Sequence, residues 1–348
     1  MSLACPHWRP VVIDPRARHV PSHRIDPPAP AAAAGQAAST AFAASGWRVL
    51  RQGRQARAGG PPTLALPLAN TAALAEAAAG ASEVLPSANP AYSRWGQALR
   101  PMSRQAMDLA ERLDALLLMP GNVYGYGADM PALLSEATPA HPSTAKGALR
   151  LQLEQELQAR AAAGRLRVRL LRAGDFFGAG LGSWLDLAIA KPLPQGRLPA
   201  PGPLDRAHAW AYLPDLAQAF VGLAERRGAM GYQSWSFEGH TLTGEELLAG
   251  LAQAAHALGW PVPARLERMA WWPWQLAAPV LPLLREVLAM RYLWQRPHAL
   301  DGSALRQHLG ERLVHTPLAW ALQASLADLA RQGLWKGWPA LPQREVLA

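Results

Sequence analysis

The spacing of apolar residues predicts alternating helices and strands from about residue 71 onward. Short apolar runs indicate buried strands, and longer stretches with apolar residues every three or four positions indicate amphipathic helices. The predicted helices span residues 71–80, 98–113, 146–163 and 214–226, and the predicted strands span residues 115–119, 166–172 and 232–237. This alternation is typical of a parallel α/β fold.

The first seventy residues fit this alternation poorly. A helix is predicted over residues 31–44 and a strand from Trp47, but four prolines precede them: Pro21, Pro27, Pro28 and Pro30. Proline cannot donate a ladder hydrogen bond, so a central strand is poorly specified there. The short run 11–13, Val-Val-Ile, is the apolar alternative for a first strand.

The last third of the chain is predicted to be mostly helical. Thr243 with Glu246 three positions later predicts a capping box at the start of one helix. The stretch 271–284 is strongly apolar, but three prolines interrupt it and it is too short to cross a bilayer. We expect a buried or capping element there, with contact to a membrane interface as the alternative.

Charge is distributed unevenly along the chain. Lysine and arginine total 34 against 25 acidic residues, a net charge of +9, and residues 1–60 carry eight arginines against two aspartates. No known nucleic-acid motif accompanies these arginines, so no nucleic-acid partner is expected. Neither a transmembrane segment nor a secretory signal is predicted.

Cysteine and histidine content limits the chemistry. The single cysteine, Cys5, excludes a disulfide framework and fits a cytoplasmic location. The ten histidines are scattered and show no HExxH motif, so the sequence predicts no metal site.

Five fragments occur in a fixed order with suitable spacing. They are LLLMPGNVYGYG (116–127), PSTAKGALRLQLEQEL (142–157), VRLLRAGDFFGAG (168–180), WAYLPDLAQAFVGLAER (210–226) and LTGEELL (242–248). Together they resemble the extended short-chain dehydrogenase/reductase family, the NAD-dependent epimerase/dehydratase group, as an atypical member. The stretch 292–310 is similar to the C-terminal part of such members. The resemblance implies an α/β fold, with a Rossmann-like doubly wound parallel sheet and a smaller, mostly helical C-terminal lobe.

The same resemblance implies a division of the chain and a set of partners. We expect an irregular basic arm over 1–20, a dinucleotide-binding domain over 21–180 to which 210–237 return, a substrate-binding lobe over 181–209 and 238–335, and a tail over 336–348. A nicotinamide dinucleotide and a small-molecule substrate are the implied ligands, and a homodimer is compatible with the family.

The family's cofactor residues correspond to particular positions here. Gly35 matches the last glycine of the phosphate-binding turn, whereas Ala29 and Ala32 stand at the first two, and each adds a methyl group where the turn needs none. Arg54 matches the basic position after strand two, which favours NADP over NAD. In the alternative interpretation, residues 31–44 are an ordinary helix and Arg54 lies in a solvated loop.

Further cofactor contacts are implied at two more places in the chain. Ser87 and Ala88 match the end of strand four, near the cofactor ribose. Asp175 matches the loop that approaches the nicotinamide.

One member of the family's catalytic triad is retained. Lys146 matches the lysine, but Pro142 stands where the family has its tyrosine, and Gly121 and Asn122 replace the usual serines. Lys146 could bind the ribose hydroxyls, with Tyr124, Tyr126 or a water held by Asn122 handling the proton. The alternatives are a surface lysine and tyrosines that serve packing.

Two functions follow from this comparison. The first is an NAD(P)-dependent oxidoreductase or epimerase/dehydratase that exchanges a hydride with nicotinamide by a rearranged residue set. The second is a non-catalytic sensor or scaffold that binds the cofactor weakly or not at all. A local reading-frame error or relaxed selection over residues 1–34 and 50–70 is a further hypothesis, because the family pattern is lost in both segments.

Overall fold

The structure is a computed structural model that describes residues 11–14, 33–53, 61–87, 90, 92–226, 231–261 and 265–335. The strands in these ranges are β1 (Val11–Asp14), β2 (Arg48–Gln52), β3 (Thr63–Leu64), β4 (Glu83–Leu85), β5 (Leu116–Asn122), β6 (Leu133–Leu134), β7 (Arg167–Ala173), β8 (Asp175–Phe177), β9 (Arg197–Ala200), β10 (Ala207–Tyr212), β11 (Gly231–Ser236), β12 (His240–Thr243), β13 (Arg265–Arg268) and β14 (Ala299–Leu300).

The helices in these ranges are α1 (Ala33–Ala44), α2 (Thr71–Ala77), α3 (Trp95–Leu113), α4 (Ala145–Ala162), α5 (Leu213–Glu225), α6 (Gly244–Ala257), α7 (Trp272–Ala277), α8 (Pro282–Ala289), α9 (Tyr292–Gln295), α10 (Ser303–Leu309) and α11 (Leu318–Arg331). The predicted helices and strands of the central region therefore match the structure to within a few residues. Thr243 caps α6, and both hydrogen bonds of its capping box with Glu246 form.

The main sheet has the strand order β11-β7-β5-β4-β1-β2-β3. The pairs β11–β7, β7–β5, β5–β4 and β2–β3 are parallel. This order places a crossover at β1, between β2 and β4, which is the arrangement of a doubly wound Rossmann sheet. The predicted α/β fold class is confirmed.

The first strand runs in the opposite direction to its neighbours. β1 pairs antiparallel with both β2 and β4, so Val11 lies opposite Arg51 and Leu85, and Asp14 lies opposite Arg48. The apolar run at 11–13 thus occupies the first-strand position, whereas an irregular arm was expected over 1–20. A strand of four residues gains its hydrogen bonds in either direction, and the apolar pattern does not specify which.

Helices cover both faces of this sheet because successive strand residues point to opposite sides. Leu118 packs with Phe42 of α1 and Phe220 of α5 on one face. Leu117 packs with Met107 of α3 and Leu157 of α4 on the other. All six side chains are at most 3% exposed, so the sheet lies between two apolar layers.

A second apolar cluster lies beside the main sheet. It is built around the sheets β12-β10-β8 and β13-β9 and the helices α6 and α11. The last third of the chain, predicted to be mostly helical, also contains the short strands β13 and β14, which pair in parallel with β9 and β6. The proposed division of the chain into domains stays a prediction.

The apolar stretch 271–284 forms α7 and the start of α8. Trp271 is buried, and its indole N–H donates to the carbonyl of Pro201 at 2.7 Å. Trp272, Leu276 and Val280 are 64%, 72% and 77% exposed. No helix among the described residues is long and apolar enough to cross a membrane.

Candidate functional site

The turn after β5 is held in a fixed geometry. The Asn122 carboxamide accepts a hydrogen bond from the Tyr124 backbone N–H at 3.1 Å, which starts the short turn at 124–126. Gly127 has a φ of +76°, and a Cβ there would stand 1.9 Å from the carbonyl oxygen of His141. Asn122 thus orders its own turn, which lies directly against the loop leading to α4.

Lys146 lies at the second position of α4 and is buried. Thr144 caps this helix by accepting a hydrogen bond from the Gly147 N–H at 3.1 Å. The Lys146 ammonium forms an ion pair with Glu286 of α8 and lies 4.4 Å from the centre of the Tyr92 ring. Burial lowers its pKa to about 8. Lys146 is therefore not a surface lysine, and its charge is directed at the protein's own carboxylate.

Tyr92, which contacts this lysine, is linked to two further tyrosines. The Tyr92 hydroxyl hydrogen-bonds to that of Tyr124, and the Tyr292 hydroxyl donates to the Tyr124 carbonyl at 3.4 Å. Burial raises the pKa of Tyr124 above its ordinary value, and the charge of Asp175 raises it further. A phenol with a raised pKa is a poor general acid at neutral pH, because it holds its proton more tightly.

Tyr126 is anchored away from this group. Its hydroxyl donates to the carbonyl of Ser135 at 3.2 Å, and burial raises its pKa. Its side chain packs in a cluster with Val123, Met130 and Leu134. This environment suits packing better than proton transfer.

Asp175 lies at the start of β8 and contacts a histidine. One carboxylate oxygen is 2.9 Å from Nε2 of His208, and Nδ1 of His208 is 3.2 Å from the carbonyl oxygen of Leu293. Both ring nitrogens of His208 therefore face oxygen acceptors. The His208 ring stacks on Trp294 at 4.0 Å between ring centres.

A second histidine completes this cluster. The ring of His298 lies edge-on to that of His208 at 4.6 Å. Burial lowers the pKa of His298 to about 3, and the neighbouring His208 adds to this effect. His298 is therefore neutral at physiological pH.

The predicted cofactor residues are placed as follows. Gly35 is buried inside the first turns of α1, and its carbonyl accepts the Ser39 hydroxyl at 2.8 Å. Ser87 follows β4 and is 1% exposed. Arg54 and Ala88, together with Ala29 and Ala32, lie outside the described residues.

The diphosphate end of a dinucleotide site depends on the N–H groups at the first turn of α1. Gly180, in the loop after β8, lies directly against this turn, since a Cβ on residue 180 would stand 2.9 Å from Cα of Ala33. The reversed β1 ends at Asp14, opposite Arg48 at the start of β2, so it does not lead straight into α1. Eighteen residues of sequence separate the end of β1 from the start of α1.

Gln52 and Lys146, at two other positions of the family's dinucleotide site, make contacts within the protein. The buried Gln52 side chain at the end of β2 donates to the Leu66 carbonyl at 2.6 Å. Lys146, which would bind the ribose, is engaged by Glu286 and Tyr92. Gln52 and Lys146 would therefore have to give up these partners in order to contact a dinucleotide.

Sequence patterns identified Lys146, Tyr124 and Asp175, and the structure places all three in one region. Sequence patterns did not identify Glu286, Tyr92, His208 or His298. Each of these is distant in sequence from the residue it contacts, so no local spacing identifies it. The one available signal was that Tyr92 lies two residues after the segment 87–90, where the family's cofactor edge was expected.

Comparison with known proteins shows the fold. No protein-family model and no curated protein matches the sequence. Solved structures do match it at low identity, among them the three that follow. MoeE5 in complex with UDP-glucose and NAD is 17% identical over 86% of this chain and 96% of its own, with a TM-score of 0.65.

The second of these structures, a UDP-glucose 4-epimerase, is 14% identical over 88% of this chain and 97% of its own, with a TM-score of 0.64. The third, TunA, an NAD-dependent NDP-hexosamine 5,6-dehydratase, is 17% identical over 86% and 95%, with a TM-score of 0.62. The chain has the fold of the extended short-chain dehydrogenase/reductases, and the resemblance stated from the motifs is confirmed at this level.

Proposed function

We propose that this protein is a non-catalytic sensor or scaffold with the epimerase/dehydratase fold. The observation that carries the proposal is the ion pair between the buried Lys146 ammonium and the Glu286 carboxylate. In the fold family this lysine serves the cofactor and the catalytic tyrosine, and here Pro142 stands at the tyrosine position. A lysine whose charge is already satisfied gains little from binding a ribose.

The proposal predicts weak binding of nicotinamide dinucleotides. A dinucleotide would have to displace Glu286 from Lys146 and the Gly180 loop from the first turn of α1. Each displacement subtracts from the binding free energy, because contacts made within the free protein must be broken first. If a dinucleotide binds, NADP is favoured over NAD through Arg54.

The test is titration of reduced cofactor fluorescence with NADPH and NADH on the full chain. We expect no saturation below the millimolar range for the wild type, and binding at least about tenfold tighter for Glu286→Gln. Glu238→Gln is the matched control, because Glu238 is a surface partner of Arg306 on another part of the chain. Saturation of the wild type at micromolar NADPH contradicts the proposal.

A second candidate is an active enzyme of the epimerase/dehydratase type. The observation that favours it is the hydrogen-bonded pair Tyr92 and Tyr124 beside Lys146, because a phenol next to an ammonium is the family's proton-transfer arrangement. MoeE5 binds UDP-glucose, which makes sugar nucleotides the first substrates to assay.

This candidate is separated from the first by turnover. The wild type is incubated with UDP-glucose and NAD(P), and product sugars and reduced cofactor are measured. Turnover that falls at least about a hundredfold in both Tyr124→Phe and Lys146→Met would establish the enzyme. Absence of turnover in the wild type, with recovery in the double variant Pro142→Tyr, Glu286→Gln, supports the non-catalytic assignment.

A further inference from the structure

Three side chains with metal-binding atoms lie close together in a group that does not include Lys146. Asp215 lies in the first turn of α5, His240 begins β12, and His315 lies in the segment before α11. One carboxylate oxygen and one nitrogen of each ring all lie within 4.8 Å of one another. Three elements far apart in sequence thus bring two imidazoles and a carboxylate together.

His240 has an unsatisfied nitrogen at this place. The residue is 7% exposed, and its buried Nε2 has no hydrogen-bond partner among the described residues. A buried polar atom without a partner is costly unless a ligand or an ordered water satisfies it.

Asp215 is held in position by the residue that follows His315. The Thr316 backbone N–H donates to Oδ2 of Asp215 at 2.7 Å, and the Thr316 hydroxyl donates to Oδ1 at 2.6 Å. Each carboxylate oxygen retains a second lone pair. Hydrogen bonds of this kind orient metal-binding carboxylates in proteins, and here they also bring His315 to the carboxylate.

The imidazole rings of His240 and His315 lie close to each other. The centres of the His240 and His315 rings are 4.7 Å apart and tilted by 45°. In a tetrahedral site with bonds of about 2.1 Å, neighbouring ligand atoms lie about 3.4 Å apart. The ligand atoms, which lie within 4.8 Å of one another, therefore have to approach by at most about 1.4 Å, and the exposed His315 side chain can rotate to do so.

We propose that Asp215, His240 and His315 bind a divalent transition-metal ion such as zinc. Two imidazoles and one carboxylate are a donor set that zinc and its first-row neighbours accept, with water completing the coordination. The bound ion would tie the start of α5 and β12 to the segment before α11. His315 is exposed, so an ion can enter from solvent.

The test uses the full chain after removal of metals with EDTA and exchange into chelator-free buffer. Cobalt(II) is titrated by its visible absorption, and zinc is then added to displace it. We expect one cobalt per chain at this site, lost on displacement by zinc. His315→Ala should weaken binding at least about tenfold without altering the far-ultraviolet circular dichroism, because its side chain is exposed.

The matched control is His256→Ala, an exposed histidine near the end of α6. It should bind cobalt as the wild type does, and His240→Gln should lose binding as His315→Ala does. The chain has ten histidines, so the difference between the wild type and His315→Ala is the decisive quantity. Equal binding by these two proteins, or no binding by the wild type up to millimolar cobalt, overturns the proposal.

Discussion

The ammonium of Lys146 and the carboxylate of Glu286 are partners across 140 residues of sequence. The lysine side chain is 6% exposed and the glutamate side chain 42%, so the lysine is the buried member of the pair and the glutamate is the one that reaches solvent. The pairing joins the start of α4, on the main sheet, to α8. Lys146, whose counterpart in the family binds a ligand, therefore contacts another residue of the protein itself.

The first prediction concerns the pKa of this lysine. The chain contains lysine only at positions 146, 191 and 336, so reductive methylation with ¹³C-formaldehyde gives few NMR signals. The Lys146 signal, identified by its loss in Lys146→Met, should titrate near 8. In Glu286→Gln it should titrate still lower, because the negative partner is gone. A midpoint near the ordinary value of about 10.4 in the wild type would contradict this.

The same pKa predicts a pH dependence of stability. The folded-state value lies below the unfolded value, so the unfolded chain binds more protons between about pH 8 and 10. The contribution of Lys146 to the free energy of unfolding therefore rises with pH in this window. Urea unfolding at about pH 7.5 and 9.5 should show the wild type gaining relative to Lys146→Met. A relative loss would reverse the assigned direction.

A pair of glycine substitutions tests the packing of α4 against the turn after β5. A Cβ on Gly147 would stand 2.4 Å from the carbonyl oxygen of Tyr124, whereas a Cβ on Gly96 in α3 meets nothing within 4 Å. Gly96→Ala should stabilise the protein by about 0.5–1 kcal/mol, the usual gain inside a helix. Gly147→Ala should destabilise it by about 1–3 kcal/mol, because backbone has to move. Both are measured by urea unfolding, and similar effects of the two substitutions would refute the close approach.

The contact between Asp175 and His208 gives a further prediction. Their side chains are 17% and 7% exposed, so removing the carboxylate leaves a buried ring nitrogen without its acceptor. Asp175→Ala should lower the free energy of unfolding by about 1–3 kcal/mol. Asp205→Ala is the control, because Asp205 is 71% exposed and its 3.5 Å pair with Arg206 is worth little. An Asp175→Ala effect no larger than that of the control would show that the contact contributes nothing.

The sequence predicted those parts of the fold that local patterns determine. The apolar run 115–119 predicted β5, the period of leucines after Lys146 predicted α4, and the pair Thr243 and Glu246 predicted a capping box. Each depends on neighbours within a few residues, where periodicity and capping chemistry act directly.

Other features depend on contacts that no local pattern encodes. The run 11–13 has the same alternation whichever way it enters the sheet, so its reversed direction could not be predicted. Glu286 is one exposed acid among many until α8 places it beside Lys146. The group of Asp215, His240 and His315 has no spacing signal, because its members come from three separate elements.

The Gly180 loop constrains the order in which the molecule can fold. The Gly180 N–H donates to Asp328 of α11 at 3.1 Å while the same residue touches Ala33 of α1. The hydrogen bond spans 148 residues, and α11 is the last helix of the described chain. During synthesis the hydrogen bond between the Gly180 loop and α11 therefore cannot form until residue 328 has been made. Folding should be slow relative to proteins dominated by local contacts, with the Gly180 N–H among the last groups to become protected from hydrogen exchange.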